Sequence, residues 1–404
     1  LLWSWWRCSL VCIKVQRSQA SLKVSILIQS RVQRPADSTR KNVSRDISLG
    51  ENYFGSLRHS PISEPNPAKM TLNFDILGGE TKARLLAAFP GYSEGFVRCQ
   101  PGNLLMPLFF KKDWQTYFNF QLRNEDVFIL SFPKSGTTWT QEMVWLIANN
   151  CDFQGAKKLL RERVPFLEDR TLGTEDSLKM FLEMSKKESE SSVSSDIIIE
   201  PNYIDALPSP RYIKSHLPLS YLPPNLVDSC KVVYVARNPK DVAVSWYFHH
   251  LLDPIMNTNL TVEEFVEFFI RDEVLYAPYW TNLIDAWNMR NHPNFLFLFY
   301  EDLKMDLPAQ LQRICRFLGK EELTVDQISA LAIHLKFDNF KVNPSVNAQE
   351  LQEAGYFKKD GNFIRKGIHQ VVHHTSDTCL PFMFVVPSMK ITTRSNWRLE
   401  ELFW

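Results

Sequence analysis

Three short clusters in this chain combine side chains that hold anions with one that moves protons. The first is Pro133-Lys134-Ser135-Gly136-Thr137-Thr138-Trp139, which follows an apolar run and opens a helical one. Gly136 lets the main chain approach a ligand closely. The first N–H groups of the following helix have no internal partner and carry the positive end of its dipole, and Lys134 adds a full charge, so the chemistry on offer is anion binding. The second cluster is Lys214-Ser215-His216. Lys214 and His216 share parity, so in an extended chain an ammonium and an imidazole project to one side. An imidazole of ordinary pKa, about 6.5, can accept a proton near neutral pH. The third is Arg237 with Ser245, a guanidinium at a strand end and a hydroxyl two turns into the next helix, both able to face the crevice beyond a sheet. Simpler readings compete with each cluster: a plain strand-to-helix turn with a surface lysine, a structural histidine, and an Arg237–Asp241 pair with Ser245 on a solvated face.

The elements that would position these groups are legible in the same sequence. Val127–Leu130 is a run of large and β-branched residues without alternation, as in a strand buried on both faces of a parallel sheet. Thr138 to Asn149 follows as a helix, with Met143, Leu146 and Ile147 at helical spacing. Arg211 to Pro218 reads as a short strand and edge turn closed by prolines. Lys231 to Ala236 is a second buried strand, after which Asn238 suits an N-cap, Pro239 the first helical position and Asp241 the first turn. Thr261-Val-Glu-Glu264 is a capping box ahead of Phe265, Phe268 and Phe269. Phe295 to Tyr300 is a third strand, and Pro308 to Leu318 and Val325 to Lys336 are amphipathic helices. Tyr276, Trp280, Leu283, Ile284 and Trp287 recur at helical spacing, either as core or as the wall of an apolar acceptor pocket. Met70 to Gln121 is mixed in pattern and leads into the first strand, and Lys186 to Ser195 predicts a mobile surface loop. The expected fold is a single α/β domain with a central parallel sheet flanked by helices.

Composition narrows the function further. The chain has 404 residues, 45% of them hydrophobic, enough for a substantial core. A formal net charge of +1 argues against a broad polyanion surface and hence against nucleic acid as a partner. Seven scattered cysteines without a C-x-x-C pair suit reduced thiols and present no metal-ligand spacing, so no metal is expected. The sequons at Asn42 and Asn259 read as chance. The opening LLWSWWRCSLVCIKV is interrupted by Arg7 and Lys14 and falls short of the about eighteen apolar residues of a membrane span, so no membrane association is expected. Residues 1–69 read as a disordered extension or as sequence upstream of a start at Met70.

Pro133–Trp139, PKSGTTW, has one glycine with its lysine two residues earlier, and so differs from the G-x-x-x-x-G-K-[ST] loop of nucleoside triphosphatases. It closely resembles the phosphosulfate-binding loop of the cytosolic sulfotransferase family, whose donor is 3′-phosphoadenosine 5′-phosphosulfate (PAPS). KSHLP at 214–218, RNPKDVAVS at 237–245, Tyr300 and FIRKG at 363–367 resemble further motifs of that family, in the expected order. The resemblance covers roughly residues 70–367. It implies a P-loop-like loop in which Lys134, Ser135, Gly136, Thr137 and Thr138 hold the 5′-phosphosulfate, and Trp139 lying against the adenine. It also implies His216 as general base with Lys134 and Lys214 as catalytic cations. Arg237, Ser245, Arg365, Lys366 and Gly367 would read the 3′-phosphate, and Tyr300 and Phe337 would contact the nucleotide. Leu335-Lys336 departs from the small polar pair the family carries before that phenylalanine. The implied activity is sulfuryl transfer from PAPS to the hydroxyl of a small lipophilic acceptor, a phenol, sterol or other alcohol, by in-line displacement in the cytoplasm.

After Gly367 the family's G-D-W-K and dimerisation segment give way to IHQVVHHTSDTCLPFMFVVPSMK. Residues 368–404 are therefore an atypical tail, of the kind an altered splice or frameshift produces, and homodimerisation stays open. A PAPS-binding protein without catalysis is the competing reading. A membrane-tethered carbohydrate sulfotransferase is a third, which the soluble-type KSHLP opposes.

Overall fold

Alternate side chains of four short strands face two different cores, and that division builds the centre of the protein. The computed structural model describes residues 10–18, 21–29, 72–172 and 201–365, in two units split between Met70 and Thr71. In the first unit, β1 (Leu10–Ser18) pairs antiparallel with β2 (Ser21–Gln29), Val11 opposite Ile28 and Val15 opposite Val24. The sequence reading expects disorder across 1–69. Within these two segments, β-branched residues recur at every second position, a period that a reading weighted on Ser, Arg and Gln content passes over.

The second unit opens with an antiparallel sheet of β3 (Asn73–Ile76), β4 (Phe96–Gln100) and β5 (Leu104–Pro107). Helices α1 (Gly79–Ala88) and α2 (Phe110–Phe118) accompany it. Sequence analysis leaves this region as a lead-in to the first strand. Its strands are four and five residues long, too short for a clear period.

The main sheet is parallel throughout: β6 (Val127–Leu130), β7 (Tyr212–Ser215), β8 (Lys231–Ala236) and β9 (Phe295–Phe299), in the order β7-β6-β8-β9. Phe128 and Leu130 join a core with Val232, Tyr234, Phe295 and Phe297 on one face. Val127 and Ile129 join Val233, Val235, Leu296 and Leu298 on the other. Burial of each such side chain contributes roughly 1.5–3 kcal/mol relative to exposure, which explains a strand with no polar position. Helix α3 (Thr137–Ala148) covers the second face together with α7 (Leu307–Leu318) and α8 (Val325–His334). The first face is covered by α4 (Pro239–Leu252), α5 (Val262–Ile270) and α6 (Tyr279–Asn288). The α/β architecture with a central parallel sheet flanked by helices is thus as expected.

Two local devices fix the strands that carry the site. Arg211, wholly buried, grips Asp126 with Nε–Oδ1 at 2.9 Å and Nη2–Oδ2 at 2.6 Å, clamping the entrances of β7 and β6 side by side. Removing one partner of such a pair leaves an uncompensated charge, at a cost of roughly 3–5 kcal/mol. Asn238 accepts the Lys240 N–H as N-cap of α4, with Pro239 at its first position, and the Thr261/Glu264 capping box starts α5, as the sequence predicts.

Candidate active site

The chain leaves β6 toward β7 on one side and then crosses to β8 on the other, so the carboxyl end of β6 lies at a switch point, where open α/β sheets bind ligands. Ser131 to Gly136 turns there into α3. Lys134 adopts φ 65° and Gly136 φ 100°, both left-handed. A Cβ on Gly136 would lie 2.6 Å from the Tyr300 ring, so glycine is required by conformation and by space. The N-terminus of α3 is consequently reached by bare backbone, the arrangement predicted for an anion.

Ser215 sits opposite Leu130 in the sheet register, which brings the next residue, His216, beside Ser131. The His216 Nδ1 lies 2.8 Å from the Ser131 carbonyl oxygen. That oxygen can only accept, so Nδ1 carries the proton and Nε2 is left as the ring's acceptor. The Ser131 hydroxyl bonds to Thr137 Oγ1 at 2.6 Å, joining the loop to the first turn of α3. His216 is buried, its ring edge-on to Phe166 at 5.2 Å and Tyr276 at 5.7 Å. Sequence analysis gives it an ordinary pKa. Burial first, then the charges of Lys214 and Lys134, instead hold it well below that value, so the ring is neutral at pH 7. Lys214 lies over the Phe166 ring at 3.8 Å, so it and His216 meet the same ring, as their shared parity predicts. Burial lowers its pKa, against the opposing charges of Asp169 and Glu168.

Lys134 is partly buried, with Nζ 4.7 Å from the centre of the Phe363 ring and 3.5 Å from His249 Nδ1. Burial and the like charges of Lys214, Arg237 and Arg365 push its pKa down to about 7. Arg237 follows Ala236, which pairs with Phe299, and its Nη1 donates to the Lys134 carbonyl at 3.1 Å. Its guanidinium stacks on Tyr300 at 4.5 Å. The pairing with Asp241 weighed from the sequence exists, but at 3.9 Å, and Arg237 Nε is buried without a hydrogen-bond partner. Ser135 Oγ is buried and unpartnered in the same way. Arg365 lies over Phe248 at 3.8 Å, its pKa lowered by burial and then by Arg237. Ser245 is partly buried on α4. Trp139 donates Nε1–H to the Leu335 carbonyl at 3.0 Å and meets Tyr300 edge-on at 5.9 Å. Leu335 thus holds the Trp139 ring through its main chain, and Phe337, partly buried, begins the next short helix. Lys366, Gly367, the 186–195 loop and the 368–404 tail lie outside the described residues.

Two residues beside this cluster went unmarked in the sequence reading, Ser131 and Glu168. Glu168 carried a local signal, a carboxylate directly after the apolar stretch Val164-Pro-Phe-Leu167, and it folds to full burial. Ser131 depends on a pairing remote in sequence. Tyr276, read as core or pocket wall, is buried and adjoins the His216 ring. Among the described residues, no group of three or more His, Cys, Asp or Glu side chains is placed to hold a metal, and no helix is long and apolar enough to cross a membrane.

A left-handed loop at a switch point, with a neutral imidazole and several cations around it, has the chemistry suited to group transfer from an anionic donor. Residues 124–375 match the family model of the sulfotransferase domain. The chain is 35% identical over 258 residues to luciferin sulfotransferase of Photinus pyralis, covering 62% of this chain and 67% of that one. It is 33% identical over 267 residues to sulfotransferase 1 family member D1 of Rattus norvegicus, covering 65% and 82%. A crystal structure of retinol dehydratase in complex with androsterone and inactive cofactor PAP is similar with a TM-score of 0.67 and 34% identity, over 74% of this chain and 90% of that one. The chain belongs to the sulfotransferase family.

Proposed function

We propose that this protein is a cytoplasmic sulfotransferase that moves a sulfuryl group from PAPS to the hydroxyl of a small lipophilic acceptor, a phenol, sterol or other alcohol, with residues 70–367 as its catalytic domain. The PAP complex of retinol dehydratase, and the unpartnered Arg237 Nε and Ser135 Oγ in this chain, support a nucleotide donor with phosphates at both ends. Lys134, Ser135 and the N–H groups of Gly136, Thr137 and Thr138 hold the 5′ end. Arg237, Ser245, Arg365, Lys366 and Gly367 hold the 3′-phosphate, Arg237 by its two-pronged fork. Trp139 lies against the adenine, and Tyr300 and Phe337 contact the nucleotide. When bound, PAPS supplies the sulfuryl group and adenosine 3′,5′-bisphosphate (PAP) is the leaving product. His216 Nε2 takes the proton of the acceptor hydroxyl, while Lys134 and Lys214 offset the charge that develops across the transfer.

The observation that carries this reading is the 2.8 Å bond from His216 Nδ1 to the Ser131 carbonyl, which presents a bare Nε2. The test is transfer of labelled sulfate from PAPS to a panel of phenols, sterols, other alcohols and amines. Label on at least one hydroxyl acceptor is expected. Tight PAP binding with no transfer to any acceptor would contradict catalysis and leave a nucleotide-binding protein.

A further inference from the structure

Resting on the base role proposed for His216, we infer that Glu168 is the residue that positions it. The β7 ladder ends at Ser215, so the sheet no longer fixes the main chain where His216 begins. Glu168 takes over at that point. Its Oε1 accepts the His216 main-chain N–H at 2.6 Å and the Tyr276 hydroxyl at 3.4 Å. Tyr276 in turn sets its ring against the His216 imidazole. One buried oxygen thus braces both the backbone of the imidazole and a wall of its pocket.

The carboxylate is itself held in place. Two residues earlier, Phe166 bridges to Lys214 in parallel, and Leu167 N–H donates to the Lys214 carbonyl at 2.9 Å, so the Glu168 segment runs beside β7. Asn282 closes the other side by donating Nδ2–H to the His216 carbonyl at 3.1 Å. Glu168 is fully buried, which pushes its pKa up to about 7 against the His216 N–H, the Ser215 hydroxyl and the Lys214 charge. A carboxylate under that desolvation is a poor choice for packing alone, and its hydrogen bonds converge on the His216 turn. Glu168 acts through His216 and enters neither the proton transfer nor the grip on the nucleotide.

The test compares wild type, Glu168→Ala, Glu168→Gln, Glu168→Asp and His216→Ala in the labelled-sulfate assay, with PAP affinity from calorimetry. Displacement of a reacting group by about 1 Å can cost about 10²-fold. Glu168→Ala is therefore expected to lose kcat about 100-fold with PAP affinity within about twofold of wild type. Glu168→Gln keeps an accepting oxygen for the His216 N–H and is expected to restore kcat to within about tenfold. Glu168→Asp draws its oxygen away and should be slower than Gln. A Glu168→Ala kcat within twofold of wild type, equal losses of kcat and PAP affinity, or a Gln variant as slow as Ala would overturn the assignment. If Glu168→Ala does not fold, the order of Gln over Asp decides. No transfer by wild type, or normal transfer by His216→Ala, would strike the proposed function instead.

Discussion

The two halves of the site are finished to different degrees. At His216 the main-chain N–H meets Glu168, the carbonyl meets Asn282 and Nδ1 meets Ser131, which leaves Nε2 as the ring's open acceptor, with the second Glu168 oxygen buried and unpartnered. Around Arg237 the pairing is incomplete. One nitrogen meets the Lys134 carbonyl, Asp241 stands off at 3.9 Å, and Nε has nothing. Buried polar groups are ordinarily satisfied, so the second half reads as a site whose missing partner is an anion, whereas the first is built to hold one imidazole still. In the proposed function the proton-handling half is preorganised, whereas the anion-holding half would be completed by its ligand.

The contrast can be broken from either side. The largest effect is expected from His216→Ala: turnover falls about 10²–10⁴-fold while calorimetric PAP affinity is kept. Arg237→Ala reverses the split. It loses charge-assisted hydrogen bonds of about 1.5–3 kcal/mol, so PAP binds about 10–100-fold more weakly and kcat at saturation stays near wild type. Equal loss of kcat and affinity in both variants would erase the distinction.

A third effect is set by pH. Lys134, with its pKa near 7, is charged below that pH and neutral above it, so PAP affinity should weaken as pH rises through about 7. Lys134→Met should flatten that part of the profile; a profile unchanged by it would remove Lys134 from the grip. The smallest effect is expected at Asp241, which competes weakly for Arg237. An exposed or partly exposed pair contributes about 0.2–1 kcal/mol, so Asp241→Asn should tighten PAP binding by a few-fold at most, and weaker binding would show that Asp241 orients Arg237 rather than competing with it.

What could be read from the residues alone follows the same division. β6 and β8 stand at the residues that their apolar runs mark, because burial on both faces leaves no polar position to blur the ends. The loop and the KSH segment were legible because their chemistry is local. The positioning shell was not: Ser131 and Glu168 reach His216 across 85 and 48 residues, through a strand register and a parallel bridge that no local pattern encodes. The β3–β5 sheet was missed for a related reason, since its pairing depends on partners rather than on the period of any one strand. The depressed pKa of His216 likewise depends on Lys214 and Lys134 converging in space.

The most direct test of the base is its protonation in the free enzyme, read by nitrogen NMR of labelled histidine with a His216→Gln variant to assign the signal. Between pH 6.5 and 8, His216 should be neutral with its proton on Nδ1 and a bare Nε2. An imidazolium at pH 7, or a proton resting on Nε2, would contradict the account.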